Sequence, residues 1–191
     1  MRLEKLFLAL ADSLDSDLEI EKAGAGALRE AAGSEVVNGS STPLPESFAK
    51  IFAESDAHPV CKLIAQTPFN WTPPQTSSDP KYIADSVAKV HVELIGPEGL
   101  VKSDKVRLGL YGMAPGHSYG IRTHLAEEVF VMLAGEAEWK KGDDPYKPLR
   151  AGDRAFHPSM TPHANRTVDH AFMSIYIWRG DVSTDSYQYR G

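Results

Sequence analysis

The sequence predicts a mainly β fold: a small barrel of short strands over residues 89–191, behind an α-helical N-terminal region over residues 1–88. Three observations predict it. Ahead of residue 89, apolar residues recur at helical spacing between loop signals. From Lys89 onward, short runs rich in β-branched and aromatic residues follow one another closely, each ended by glycine, proline or aspartate. Within those runs, two glycine-anchored stretches, Gly116 to Gly135 and Gly152 to Thr167, carry histidines and a carboxylate at regular spacing.

Leu3, Leu6, Phe7, Leu10 and Leu14 form one face of an amphipathic first helix. The glycines at Gly24 and Gly26, and the stretch Gly33 to Pro45, are expected to break the helical pattern. Short helices are expected near Pro45 to Ser55, His58 to Gln66 and Lys81 to Val87, with Pro45 and Glu46 in a first helical turn, where proline loses no hydrogen bond. The proline- and serine-rich linker Phe69 to Pro80, which carries Trp71, is expected to lie across a surface. Strands are expected at Val90 to Ile95, Val106 to Gly112, Glu127 to Leu133, Ala137 to Lys140, Arg154 to Phe156, Ala164 to Thr167 and Ala171 to Trp178. Ala134 and Gly135 read as a tight connection between two of them, and Lys141 to Tyr146 as a polar loop. Many short strands suggest a sandwich or small barrel whose interior can be a ligand cavity.

Composition narrows the function. The chain has 191 residues, 42% hydrophobic and 24% charged, in the range of an ordinary globular protein. A net charge of −6 with no basic run argues against a nucleic-acid partner. The apolar run Leu6 to Ala11 is too short for a signal peptide, and no segment is long and apolar enough to span a bilayer. Cys61 is the one cysteine, which forbids an internal disulfide and suits a reducing compartment. A cytoplasmic monomer or homodimer, with no membrane partner and a small-molecule substrate, is the expectation.

The two glycine-anchored stretches carry the chemistry. The first places His124 and Glu128 after Gly116, and the second places His163 after Gly152 and Pro158. Two imidazoles and a carboxylate on neighbouring strands suit one divalent metal ion, zinc or iron foremost, with manganese or nickel as alternatives. Three ligands leave coordination positions for a substrate. His117 is a candidate fourth ligand or substrate-binding residue, or an exposed loop residue, His157 is read as structural, and His58, His91 and His170 lack ligand spacing. Tyr119, inside the first stretch, is the candidate catalytic base, because a nearby divalent cation favours phenolate. Tyr111, on the strand before it, is a candidate to face the same centre.

Both stretches resemble the paired motifs of the cupin superfamily, which implies a double-stranded β-helix barrel with a metal inside. The N-terminal helical region, Tyr119, the run Arg122-Thr123-His124, Ala126-Glu127-Glu128 and the run Thr161-Pro162-His163 together resemble the bacterial dimethylsulfoniopropionate lyases of the cupin type. That resemblance implies β-elimination to dimethyl sulfide and acrylate, with metal at His124, Glu128 and His163 and tyrosines nearby. Two departures matter: Arg122 stands where a histidine is usual, and Phe130 where a tyrosine is expected. A guanidinium has no lone pair for a metal, but Arg122 can pair with a substrate carboxylate. Phe130 cannot accept a proton, but with Trp178 or Tyr119 it can offer an aromatic face to a sulfonium. Arg122, Phe130, Tyr111 and Trp178 are therefore the candidate substrate-binding residues. A metal-dependent dioxygenase or isomerase of another small carboxylate, or a small-molecule binder without turnover, would use the same barrel.

Overall fold

The computed structural model describes residues 3–36 and 40–191. Among them the helices come first: α1 (Glu4–Asp12), α2 (Glu19–Ala31), α3 (Glu46–Phe52), α4 (Cys61–Gln66) and α5 (Pro80–Ser86). The strands follow: β1 (Lys89–Gly96), β2 (Val101–Lys102), β3 (Val106–Met113), β4 (Ser118–Thr123), β5 (Glu127–Lys141), β6 (Lys147–Arg150), β7 (Arg154–His157), β8 (His163–Arg166), β9 (Phe172–Arg179) and β10 (Gln188–Tyr189). Met1 and Arg2, and the part of the expected Gly33 to Pro45 break that falls on 37–39, lie outside the described residues.

The first helix buries the expected face, Leu6, Phe7 and Leu10. The next helix corrects the sequence reading, because α2 runs unbroken through Gly24 and Gly26. Each glycine costs a helix about 1 kcal/mol relative to alanine, and packing overrides that cost here. Gly24 lies against β9 so closely that a Cβ on it would sit 2.6 Å from Ile177 Cδ1. The buried Glu21 pins the same helix to β7 through Arg154 Nε at 2.8 Å. Pro45 is likewise one position off: it caps α3 from outside with extended backbone. The proline in a first turn is Pro80, behind Asp79, whose carboxylate accepts from the backbone amides of Lys81 and Tyr82.

Alternation along the long strands explains why they are buried on both faces. One face of β1, β3, β5 and β9 carries Val92, Leu94, Leu108, Leu110, Val129, Val131, Ile175 and Ile177, which pack with the helices in one apolar core. The other face carries Tyr111, Met113, Phe130, Met132, Tyr176 and Trp178 into a second, aromatic cluster. Cys61 is buried in the first core, and burial pushes its thiol up to about 12. That is the behaviour of a small apolar side chain.

The strands pair in the order β10-β4-β8-β5-β9-β3-β1-β2, with β6 and β7 also on β5. All pairs are antiparallel except β1 with β2. One continuous strand, β5, occupies the two runs that the sequence suggested were separate. Its first half pairs with β7 and β9, and its second half with β6 and β8. Ala134 and Gly135 are a bend within it: the register shifts between Met132 and Ala134, and Gly135 takes φ 71°. A Cβ at Gly135 would lie 2.0 Å from the carbonyl oxygen of Ala171, so only glycine lets the strand cross from one sheet to the other. The result is a mainly β fold of two sheets that share β5. No described helix is long and apolar enough to cross a membrane.

Candidate metal centre and substrate cavity

The end of β4, the start of β5 and the start of β8 converge on one point. His124 follows β4, Glu128 stands second in β5 and His163 opens β8. Their candidate ligand atoms all lie within 4.8 Å of one another, and all three side chains are buried. Glu128 Oε2 is 3.0 Å from His163 Nε2 and 3.4 Å from His124 Nε2. These would be hydrogen bonds only if the Nε2 atoms carried protons. The other ring nitrogens decide the tautomer: His124 Nδ1 lies 3.0 Å from the Ala126 carbonyl oxygen and His163 Nδ1 2.8 Å from that of Thr161. A carbonyl accepts only, so each Nδ1 is the donor and each Nε2 presents a lone pair. Burial, and then the charge of Arg122, pushes His163 down to about 4, which keeps the ring neutral at ordinary pH.

The result is a trio of buried acceptors, His124 Nε2, His163 Nε2 and Glu128 Oε2, without hydrogen-bond partners. Three lone pairs facing one point repel unless a cation sits among them, so the donor set fits a divalent metal ion. Trp178 completes the support. Its Nε1 donates to Glu128 Oε1 at 2.5 Å and its ring stacks on His124 at 4.2 Å, which fixes both side chains. His117 is exposed on the turn before β4 and is outside the trio. His157 is buried flat against His163, at 4.2 Å and 12°, and burial with the neighbouring His163 holds it down to about 2.

A cavity of about 510 Å³ opens beside this point. Glu128, Tyr111, Tyr119, Arg122, Phe130 and Trp178 line it, so the structure brings the candidate substrate residues and the candidate base to one space. Arg122 is 2% exposed, bonds Asn165 Oδ1 at 3.2 Å through one terminal nitrogen, and leaves the other without a partner. Tyr119 Oη is 2.6 Å from Tyr187 Oη. Burial raises both phenols well above their ordinary range, while Arg122 pulls against that rise. Tyr119 is less suited to hold a sulfonium than the sequence suggested, since Arg122 Cζ already lies 4.0 Å from its ring centre.

Tyr187, Asn165 and the linker escaped sequence reasoning. Tyr187 lies on the tail before β10 and stacks on His124 at 6.0 Å and 7°. No motif marks it; only the pairing of β10 with β4 brings it in. The linker walls the cavity mouth through Asn70, Thr72, Pro73, Pro74, Gln75 and Thr76, and a bridge between Thr72 and His91 ties it to β1. At that mouth, His91 Nε2 lies 2.8 Å from Tyr176 Oη, and burial with the charge of Arg107 pushes the imidazole down to about 4.

That depressed imidazole makes folding acid-sensitive. Unfolded, His91 takes a proton as pH falls through about 6.5; folded, it stays neutral until about 4. Over that window the unfolded state binds more protons, so stability is lost as pH falls. Because part of the ring faces the open cavity, His91 is expected to contribute about 2 kcal/mol of that loss. Between pH 7 and 4 the denaturation midpoint of wild type should fall more steeply than that of His91→Gln. Parallel curves would show that His91 is not responsible.

The family model for dimethylsulfoniopropionate lyase matches residues 26–174. The chain is 44% identical over 91 residues to the dimethylsulfoniopropionate lyase DddQ of Ruegeria pomeroyi, a match that spans 48% of this chain and 45% of that relative. The crystal structure of that DddQ superposes with a TM-score of 0.61 at 26% identity, covering 95% of each chain. A structure from work on the lyases RdDddP and RnDddQII superposes over 100% of this chain and 98% of its own, with a TM-score of 0.68 at 23% identity. The match to the family model takes in α3 to α5, the converging histidines and glutamate, and strands β1 to β8, and on that extent the chain belongs to the dimethylsulfoniopropionate lyase family.

Proposed function

We propose that the chain cleaves dimethylsulfoniopropionate to dimethyl sulfide and acrylate, with one divalent metal ion, zinc or iron, held by His124, Glu128 and His163. The observation that carries this reading is the buried trio of unsatisfied ligand atoms beside a phenol-lined cavity, in a member of that family. When bound, the ion supplies Lewis acidity toward a substrate carboxylate oxygen.

The protein supplies the rest. The free nitrogen of Arg122 offers a second anchor to the carboxylate. Tyr119, as phenolate, takes the proton from the carbon next to the carboxylate. The electron pair of that bond forms the double bond, and the bond to sulfur breaks with its pair on sulfur, releasing neutral dimethyl sulfide. Tyr187 donates its hydroxyl hydrogen to Tyr119 Oη and so stabilises the ionised base. Phe130 and Tyr111, with ring centres 5.6 Å apart, form an aromatic wall for the sulfonium. In this reading, residues 1–88 form a helical backing and cavity wall for a barrel over 89–191, and the enzyme works in the cytoplasm.

Zinc- and iron-loaded protein should release dimethyl sulfide and acrylate in equal amounts from dimethylsulfoniopropionate, and Phe130→Tyr should fold normally and release them faster. Tight retention of unchanged ligand would indicate a binder. Oxygen consumption confined to the iron form would indicate a dioxygenase. Failure of both wild type and Phe130→Tyr to release dimethyl sulfide would move the substrate to another small carboxylate.

A further inference from the structure

Lys89 opens β1 and is 2% exposed, a rare condition for a lysine. Its hydrogen-bond partner among the described residues is Ser86 Oγ, at a long 3.4 Å. Asp85, the acid that acts on it, is already engaged by Tyr189 Oη at 2.5 Å and by Lys81 Nζ at 3.4 Å. What Lys89 does face is the candidate base. Its Nζ lies 3.4 Å from the centre of the Tyr119 ring, and Arg122 Cζ lies 4.0 Å from the same centre. The ring of Tyr82 is 5.6 Å from Nζ on the α5 side.

We propose that Lys89 is a positioning residue that acts through Tyr119: its ammonium, set over the ring together with the Arg122 guanidinium, stabilises the phenolate form of that tyrosine. The proposal rests on the reading of Tyr119 as the base. A neutral phenol ring attracts a cation through its π face, and an ionised one attracts it more strongly, because the negative charge is shared between oxygen and ring. The stabilisation is thus greater in the ionised state, which is what a base requires.

The charges around Lys89 fit such coupling. Burial, and then repulsion from Arg122, pulls its amine down to about 6, while Asp85 pulls it up. With a neutral phenol beside it, Lys89 therefore sheds its proton readily. With a phenolate beside it, the ammonium has the anion it lacks. The groups facing it are Tyr82, Asp85 and Ser86 from α5 and Tyr119 and Arg122 from β4. Of these, Tyr119 is the one whose ionisation the reaction uses, and it lies five residues before His124, outside the trio of candidate ligands.

The test uses zinc-loaded full-length protein, because zinc absorbs little and does not change oxidation state. Tyrosinate absorption is followed against pH in wild type, Lys89→Met and Lys89→Arg, each subtracted from the same protein carrying Tyr119→Phe. The difference isolates Tyr119. Lys89→Met should raise the Tyr119 midpoint, leaving at least about tenfold less phenolate at a given pH below it, and Lys89→Arg should restore most of it. Replacing a buried amine held by one long hydrogen bond with methionine is not expected to unfold the chain. With dimethylsulfoniopropionate, Lys89→Met should lower kcat about tenfold near neutrality, regain it as pH rises, and leave KM unchanged. An unmoved Tyr119 midpoint in folded Lys89→Met, or equal midpoints in Lys89→Met and Lys89→Arg, would overturn the proposal. The absorption arm needs no substrate, so a wild type without lyase activity overturns the function while the titration still decides the lysine.

Discussion

His163→Ala is expected to lose bound metal on dialysis and to lower metal affinity by more than about a hundredfold, with turnover falling in step. The reason is geometric. His163 Nε2 and Glu128 Oε2 stand 3.0 Å apart with no proton between them, and His124 Nε2 completes the set. Removing one donor leaves two, too few to hold an ion that also binds substrate. His124→Ala should behave the same way. Glu128→Gln is the sharper variant, because its remaining oxygen can still accept from Trp178 Nε1 while the charge is gone. Secondary structure should persist in all three, since Glu128 and His163 stand on strands, and His124 directly after one, that are held by ladders rather than by the ion. Metal analysis after dialysis is the measurement. Full retention of metal by His124→Ala, Glu128→Gln and His163→Ala together would sink the site.

The three candidate ligands were legible because motif spacing is a local property. His124 and Glu128 sit four residues apart, and β4, β5 and β8 are neighbours in the sheet order. The candidate substrate residues came from the resemblance and from the chemistry of their side chains, and they line the cavity, Phe130 on the same face as Glu128 two residues before it. What failed was governed by distant contacts. Gly24 looks like a helix breaker until Ile177 is known to press on α2. Gly135 looks like a turn until β5 is seen to serve both sheets. Tyr187 and Lys89 stand outside any motif, and their meaning comes only from where β10 and α5 meet β4. The linker from Phe69 to Pro80 was correctly read as lying across a surface, but that surface is the mouth of the cavity.

Tyr119→Phe is expected to keep metal and fold while turnover falls by at least about a hundredfold, the usual cost of a lost general base. The substitution removes one oxygen and leaves the ring that Lys89 and Arg122 face, so the surrounding packing has no reason to change. Its effect should fall on kcat rather than KM, because the anchors for the carboxylate, Arg122 and the ion, are untouched. Tyr187→Phe is the necessary comparison. It removes the donor 2.6 Å from Tyr119 Oη but leaves the base in place, so it should cost much less than Tyr119→Phe and raise the pH at which activity appears. The double variant should be no worse than Tyr119→Phe alone, because a donor to an absent oxygen has nothing left to stabilise. The opposite ranking, with Tyr187→Phe inactive and Tyr119→Phe nearly normal, would make Tyr187 the base and Tyr119 its partner. That outcome is geometrically open, since Tyr187 also lines the cavity and stacks on His124, and it would leave the metal centre and the elimination itself as described.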